Sequence, residues 1–249
     1  MPVKLDYDQL AADYSRHRAV HPGVLAALVA AVPEGGRVLE VGCGTANHLA
    51  AVQAATGCAG FGVEPSSEML ARAAAKGAPL DLRPGAAESL PFADDAFDVV
   101  FSVDVIHHVG DRAAYAAEAL RVLRPGGAFC TVTDSAADIA RRIPLSSHFP
   151  ETVAEELRRY PAIATLRAEM EAAGFARINE TATEVDYDLT DSASYRDRAF
   201  SSLHLIDEDA WRRGLARLDA DLSAGPLRAR SLYTLVWGAK PGPEGVTQP

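Results

Sequence analysis

The sequence predicts an α/β protein built on a doubly wound, Rossmann-like sheet of seven strands. Short apolar runs alternate with helical patterns between residues 37 and 133, which is typical of parallel strands joined by helices. A glycine-rich turn, Gly42-Cys43-Gly44, follows the first of these runs. Two further apolar runs follow residue 174. They are expected to add an antiparallel edge strand to the mostly parallel sheet.

The first half of the sequence contains clear start signals for its helices. Pro22 occupies a favoured first helical position, and Ser66 is a favourable N-cap. The predicted elements here are a helical cap over 5–32, a strand over 37–42, a helix over 46–55, a strand over 58–64 and a helix from Ser66.

The second half completes the sheet and adds two inserts. Gly174 predicts the end of a helix over 161–173, and Asp207 the start of another. The remaining predicted elements are strands over 80–83, 96–103, 128–133, 175–185 and 231–238, a helix over 111–123, and inserts over 135–160 and 186–230 after strands five and six. Residues 1–239 are predicted to form one domain, and the Pro/Gly-rich tail over 240–249 to be disordered.

Composition excludes several classes of protein. The net charge is −10 and the basic residues are scattered, which disfavours a nucleic-acid partner. No apolar run is long enough for a membrane span, and the N-terminus lacks the apolar core of a signal peptide. The 3 cysteines fit no metal-site spacing, so we expect reduced thiols, no metal and a cytoplasmic protein.

The glycine turn is the first candidate for a binding site. Gly42 and Gly44 allow a sharp turn and close approach of a ligand. The third glycine of a dinucleotide fingerprint is replaced by Asn47, which disfavours a nucleotide-dependent oxidoreductase. Glu40 would repel a pyrophosphate and suits a ligand that carries positive charge. The alternative is an ordinary strand-to-helix turn.

Three more features follow the ends of predicted strands, where ligands bind in open α/β sheets. Glu64 lies 20 residues after Gly44, where an acid accepts hydrogen bonds from ribose hydroxyls. Residues 85–92 follow strand three and residues 102–109 follow strand four. Each has a structural alternative, because Glu64 could cap its helix and residues 85–92 could be a packed loop.

These ordered pieces resemble a known family. Val38–Asn47, Phe61–Met69, Gly85–Phe92, Phe97–Val109 and Leu123–Gly127 look like successive motifs of class I S-adenosylmethionine (SAM) dependent methyltransferases. The likeness is greatest to the group that includes ubiquinone- and menaquinone-biosynthesis enzymes and many small-molecule methyltransferases. It extends over about residues 5–134, since Tyr7-Asp8, Ala12-Asp13-Tyr14 and Arg18 fit the group's N-terminal pattern.

The resemblance implies SAM as cofactor and assigns residues to it. Glu40 would lie near the SAM amino group, Glu64 would bind the ribose, and Arg18 would pair with the carboxylate. The other residues assigned to SAM are Tyr14, Gly42, Cys43, Gly44, Pro65, Ser66, Met69, Ala86, Ala87, Ser102 and Val103. Arg16 and His17 are rivals to Tyr14 and Arg18. The family usually has Asp where this chain has Ala86, so Glu88 or the backbone would have to bind the adenine amine.

Methyl transfer by direct displacement depends mainly on alignment of the reacting atoms. A general base is needed only where the nucleophile must lose a proton. His107 is the candidate base because it follows strand four, although it could simply start the next turn while His108 braces the loop. Adjacent histidines are poorly placed to bind one metal ion.

The acceptor is expected to be a small molecule that contacts the N-terminal helices and the two inserts. The polar candidates are Arg141, Arg142, His148, Tyr187, Tyr195, Arg196, Arg198 and His204. Their arginines hint at an anionic acceptor, whereas the tyrosines with Phe149 or Phe200 suit an aromatic ring. The acceptor atom stays open among O, N, C and S, and a non-catalytic SAM-binding protein stays open as the alternative function.

Overall fold

A computed structural model describes residues 19–242 of the chain. The predicted helix before residue 19, with the candidates Tyr14 and Arg18, lies outside the described residues. So do residues 243–249 of the predicted disordered tail.

The sheet has seven strands in the order β3-β2-β1-β4-β5-β7-β6, which confirms the predicted fold class. Strands β1 to β5 are parallel neighbours, and β7 runs antiparallel between β5 and β6. The strands are β1 Arg37–Val41, β2 Ala59–Glu64, β3 Leu80–Pro84, β4 Phe97–Val103, β5 Leu123–Thr133, β6 Ala176–Leu189 and β7 Leu227–Ala239.

The β6–β7 ribbon is longer than the apolar pattern predicts. Its register runs from Ala176 opposite Ala239 to Leu189 opposite Leu227. The extension has little apolar character; instead Asp186 pairs with Arg230 opposite it at 2.7 Å. Cross-strand charge pairs stabilise such a ribbon without burial, which explains why hydrophobic periodicity ended the strand too early.

Helices flank the sheet and fill the inserts. Ser66 caps its helix as predicted, since its hydroxyl accepts from the Met69 amide at 3.1 Å, and Gly174 ends another at φ 105°. The helices are α1 Pro22–Ala31, α2 Asn47–Thr56, α3 Ser67–Ala75, α4 Arg112–Val122, α5 Ala136–Arg141, α6 Leu145–His148, α7 Glu151–Arg159, α8 Ile163–Ala173, α9 Ala193–Arg196 and α10 Glu208–Ala224, with 3₁₀ turns at Ile106–His108 and Ser201–His204. None of the helices within 19–242 is long and apolar enough to cross a membrane.

Three apolar clusters organise the interior. Two of them contain side chains of the central strands, around Leu39 and Val100 in one and around Val38 and Phe101 in the other. The third joins the two inserts, because Leu145 and Phe149 pack with Leu203 and other residues that follow β6. The inserts therefore pack against each other, and the backbone pairing of Ile143 with Arg230 ties the first insert to β7.

Candidate active site

A cavity of about 200 Å³ opens at the carboxyl ends of the parallel strands. On one side it is lined by Gly42, Gly44 and Glu64, which follow β1 or end β2. On the other side it is lined by residues of both inserts and of β7. This is the edge at which open α/β sheets bind ligands.

The glycine turn forms the floor of this cavity and requires glycine. Gly42 and Gly44 adopt φ values of 67° and 53°, in the left-handed region that favours glycine. A Cβ atom on Gly42 would lie 2.5 Å from the side chain of Val105. The turn thus brings its backbone against the loop after β4, and it leaves no side chain between the backbone and a ligand.

Glu64 is held at the end of β2 by backbone amides. One carboxylate oxygen accepts from the Gly44 amide at 2.9 Å, and the other accepts from the Ser66 amide at 3.0 Å. The carboxylate therefore joins the glycine turn to the start of α3 and also lines the cavity. These two hydrogen bonds fix the carboxylate at the edge of the cavity, and a carboxylate is a suitable acceptor for a ligand hydroxyl.

Glu40 is enclosed beneath the turn. It is 3% exposed, and its carboxylate accepts from the Leu49 amide at 3.1 Å. Burial raises the pKa of Glu40 to about 8, and the nearby charge of Glu64 adds to the rise. Glu40 and Cys43 line a smaller cavity, which shares Gly42, Gly44, Val103, Asp104 and Tyr233 with the larger one.

Lys76 is a neighbour of this turn that sequence reasoning missed. Its ammonium donates to the Thr45 carbonyl at 2.6 Å and also to the side-chain carbonyl of Asn47. Asn47 stands where a dinucleotide fingerprint has its third glycine, and here it begins α2. The lysine lies 31 residues from Thr45 in sequence, so no local motif signals the contact.

The other predicted donor-site residues divide into two groups. Pro65, Met69 and Val103 line the main cavity and Cys43 the smaller one. Ser102 does not reach either, because it is fully buried and its hydroxyl donates to Thr131 at 3.2 Å. Successive side chains of a strand point to opposite faces, so Val103 and Ser102 cannot both face the cavity.

The loop at residues 85–92 lies outside these two cavities, and its contact with the adenine stays a prediction. Ala86 and Ala87 are absent from the lining of both described cavities. The Glu88 carboxylate, which was expected to compensate for Ala86, accepts from the amides of Gly110 and Asp111 at 3.0 and 3.4 Å. In this structure Glu88 braces the loop after His108.

His107 lies in the wall of the cavity, on the 3₁₀ turn after β4. Its ring stacks on Tyr160 with the centroids 4.1 Å apart and an angle of 22° between the planes. The His108 ring lies 4.0 Å away. This placement is compatible with contact to an acceptor, and a catalytic role for His107 stays a prediction.

Only some of the predicted acceptor-side residues line the cavity. Arg142, Tyr187, Tyr195 and Phe200 line the cavity, whereas Phe149 is buried and stacks on Tyr195. The remaining five candidates are engaged elsewhere: Arg141 with Glu184, His148 with Asp221, Arg196 with Asp219, Arg198 with Glu208, and His204 with the carbonyl of Arg198.

Sequence reasoning missed most of the charged lining. The additional residues are Asp104, Asp134, Glu156, Tyr160, Arg230 and Tyr233. Two signals were available. Asp104 and Asp134 follow the ends of β4 and β5, and Glu156 and Tyr160 are four residues apart around the end of α7, so both pairs are brought together by regular structure.

The guanidinium of Arg142 lies between two buried carboxylates. It contacts Asp134 at 3.3 Å and also contacts Glu156, and the side chains of both acids are 3% exposed. Arg230 is paired with Asp186 through two hydrogen bonds. The two arginines among the described lining residues are therefore already paired with carboxylates, so they do not support the expected anionic acceptor.

Two tyrosines of the lining are shifted toward their neutral form. Burial raises the pKa of Tyr160 well above its usual value, and the charges of Asp104 and Asp134 raise it further. Burial also raises the pKa of Tyr195. These phenols can donate hydrogen bonds and offer ring faces, but they do not supply negative charge.

Residues 39–131 match a family model described as a methyltransferase domain. A ubiquinone biosynthesis O-methyltransferase of Rhizobium rhizogenes is 36% identical over 104 residues, which are 40% of this chain and 42% of that protein. The enzyme of the same name from Rhizobium etli is 33% identical over 138 residues, which are 53% of this chain and 52% of that protein. The chain thus spans about half the length, or less, of these curated relatives.

A solved structure extends the likeness to the whole fold. A putative methyltransferase from an antibiotic biosynthesis pathway of Anabaena variabilis superposes with a TM-score of 0.69 at 23% identity. The match covers 89% of this chain and 98% of that one. The match to the family model ends at residue 131, before both inserts, and the structural likeness at 23% identity concerns the fold alone.

Proposed function

We propose that this chain, whose residues 39–131 match a methyltransferase domain, is a class I SAM-dependent methyltransferase that transfers a methyl group from SAM to a small-molecule acceptor. The observation that carries the proposal is the continuity of one cavity. It extends from the glycine turn and Glu64 past Val103 and Asp104 to the insert residues Tyr160 and Tyr195.

The residues on the donor side fit SAM. Gly42 and Gly44 both line the cavity, so the turn allows close approach of a ligand to its backbone. Glu64 lines the main cavity with a carboxylate that suits ribose hydroxyls, and Glu40 lines the smaller cavity with a carboxyl group that suits the ammonium group of SAM. When bound, SAM supplies a methyl group on a positively charged sulfur, which is already an activated leaving group.

The chain itself then contributes alignment and exclusion of water. Insert residues such as Leu145 and Phe200 line the acceptor side and provide apolar surface there. Positioning of the reacting atoms supplies about 7–11 kcal/mol of rate acceleration in favourable cases. His107, in the wall of the same cavity, is the proposed base for acceptors that must lose a proton.

Titration calorimetry with SAM, S-adenosylhomocysteine and NAD tests the donor. We expect binding of the first two and none of NAD, and NAD binding without SAM binding would overturn the proposal. Incubation with methyl-labelled SAM and a metabolite extract tests the transfer. Labelled product is expected, whereas SAM binding with no product would favour a non-catalytic SAM-binding protein.

A matched pair of variants tests whether Glu64 contacts SAM. Glu64→Gln weakens acceptance from ribose hydroxyls at the cavity, and we expect SAM affinity to fall about 10- to 100-fold. Glu68→Gln makes the same chemical change four residues away on the exposed first turn of α3, and SAM affinity should be unchanged. Equal affinities of the two variants would contradict the assignment of Glu64.

A further inference from the structure

The described part of the acceptor side carries more acidic than basic side chains. Among its lining residues, three carboxylates, those of Asp104, Asp134 and Glu156, accompany the two guanidinium groups of Arg142 and Arg230. One of these guanidinium groups, Arg230, is paired with Asp186 from outside the lining. An acceptor that carries a carboxylate or phosphate would therefore meet net repulsion.

The same cavity is rich in aromatic rings. The described rings are those of Tyr160, Tyr187, Tyr195, Phe200 and Tyr233, besides the two histidines. The faces of such rings attract cations, and the attraction grows where water is excluded. Carboxylates combined with aromatic faces are the environment that binds an ammonium group.

Asp104 lies where the donor and acceptor sides meet. It lines both cavities, together with Gly42, Val103 and Tyr233. Its carboxylate accepts from the Tyr233 hydroxyl at 2.8 Å, and its charge acts on the neighbouring Tyr160 phenol. Among the acidic residues of the acceptor side, Asp104 is therefore the one placed at the border with the proposed methyl donor.

The backbone at Asp104 adds a second observation. Its φ is 57°, a left-handed conformation that costs a non-glycine residue stability. Such conformations concentrate at functional sites, where the surroundings hold them. Here the Asp104 amide donates to the Val132 carbonyl at 3.1 Å, and the Tyr233 hydroxyl fixes the side chain.

We propose that the methyl acceptor is a small amine with an apolar or aromatic body, and that Asp104 binds its ammonium group. This inference rests on the proposed function. The bound ammonium transfers a proton to the Asp104 carboxylate, and the freed nitrogen lone pair forms the bond to the methyl carbon. The sulfur–methyl bond breaks with its electron pair passing to sulfur, and the proton leaves Asp104 for water when the methylated ammonium product departs.

Three phenylalkyl probes with different polar groups test the acceptor class. Phenethylamine, 3-phenylpropanoate and 3-phenylpropanol are titrated into the full chain saturated with S-adenosylhomocysteine. We expect the amine to bind about 10-fold or more tightly than the alcohol, and the carboxylate to bind most weakly. Amine binding no tighter than that of the alcohol or the carboxylate, or no detectable amine binding, would overturn the inference.

Asp104→Asn tests the residue. Asn tolerates left-handed backbone better than most residues, so the local fold should persist while the charge is lost. We expect the preference for the amine over the alcohol to disappear in the variant saturated with S-adenosylhomocysteine. Asp209→Asn, on the exposed first turn of α10, is the matched control and should keep the preference. A preference that survives in Asp104→Asn would exclude Asp104.

SAM binding by the same samples separates this inference from the proposed function. Loss of SAM binding by the wild-type chain would overturn the proposed function itself. If SAM binds but the amine does not bind more tightly than the alcohol and the carboxylate, only the inference that the acceptor is an amine is overturned. Mass spectrometry of phenethylamine incubated with SAM provides a chemical readout, in which methyl addition to the nitrogen supports the inference.

Discussion

The hydroxyl of Tyr233 on β7 donates to the carboxylate of Asp104 at 2.8 Å, across 129 residues of sequence. Asp104 follows β4, a central parallel strand, whereas β7 is the antiparallel strand near the edge of the sheet. This hydrogen bond connects the donor half of the candidate site to the second half of the chain. The position of β7 therefore affects the side chain at the border of the two cavities.

A double-mutant cycle measures this connection. Tyr233→Phe removes a hydrogen bond to a charged group, which is worth about 1.5–3 kcal/mol. We expect Tyr233→Phe and Asp104→Asn to be non-additive in urea unfolding, with a coupling free energy of about 1 kcal/mol or more. Additive effects would show that the hydrogen bond contributes nothing to stability.

Neighbouring arginines provide a contrast between buried and exposed ion pairs. Arg142, with a side chain 12% exposed, lies between Asp134 and Glu156, whereas Arg141 is 50% exposed and pairs with Glu184. Removing Arg142 leaves two carboxylates buried together, so Arg142→Ala should lower the free energy of unfolding by about 3–5 kcal/mol. Arg141→Ala should lower it by about 1 kcal/mol at most.

Addition of a neutralising change provides the test of this reasoning. If Arg142→Ala is destabilising because the two buried carboxylates then repel each other, adding Glu156→Gln should recover part of the lost free energy of unfolding. Urea unfolding of the wild type, the two single variants and the double variant measures this recovery. A double variant that is less stable than Arg142→Ala would assign the cost to lost packing of the arginine stem instead.

The donor half of the site was largely predictable because its signals are local. Glycine turns, an N-cap serine and acids at strand ends depend on residues within a few positions of each other. Gly42, Gly44 and Glu64 all line the cavity, and their contact with SAM stays a prediction. Ser102 shows the limit of motif transfer. The motif locates the strand, but only the pleat decides whether Ser102 or Val103 faces the cavity.

The acceptor half was not predictable in the same way. Its residues come from two inserts and β7, and their contacts join positions far apart in sequence, such as Asp104 and Tyr233. The arginines of the inserts suggested from sequence that the site binds an anionic acceptor. The structure shows Arg142 held by two acids that sequence reasoning did not connect to it.

Two glycines with similar φ values allow the cost of a left-handed backbone to be measured apart from the cost of steric overlap. Gly35 and Gly42 have φ values of 65° and 67°, but a Cβ on Gly35 would meet nothing within 4 Å. Gly35→Ala should therefore cost about 1–2 kcal/mol for the left-handed conformation alone. Gly42→Ala adds overlap with Val105, which costs about 1–3 kcal/mol more, and it should also weaken SAM binding.

Truncation of the colliding side chain tests the cause. Val105→Ala in the Gly42→Ala background should recover part of the stability and of the SAM affinity, because it removes the atoms that lie 2.5 and 2.9 Å from the added Cβ. The same truncation in the Gly35→Ala background should recover nothing. Equal costs for Gly35→Ala and Gly42→Ala would contradict the close approach.

Glu40 gives the chain a pH dependence with a definite sign. Its pKa in the folded protein is about 8, above the ordinary value of 4.5. The folded state therefore holds a proton that the unfolded state releases between these values. The stabilising contribution of protonated Glu40 is fully present below pH 4.5 and is lost as pH rises toward 8, by about 1.4 kcal/mol for each pH unit.

Glu40→Gln removes this titration but keeps an acceptor for the Leu49 amide. We expect the variant to match the wild type in urea unfolding near pH 4.5 and to exceed it by a few kcal/mol near pH 8.5. Glu68→Gln, on the exposed surface of α3, should follow the wild-type profile. Parallel profiles for wild type and Glu40→Gln would show that Glu40 is ionised in the folded protein.

The same proton should be released when a cation binds beside Glu40. Positive charge favours the ionised carboxylate, so SAM binding at pH 7 should release a fraction of a proton from the wild type. Calorimetry in two buffers of different ionisation enthalpy measures that release. Glu40→Gln is the control because the α-amino group of the ligand also titrates near pH 8, and only the difference between the two proteins belongs to Glu40. No difference would place the bound amino group away from this carboxylate.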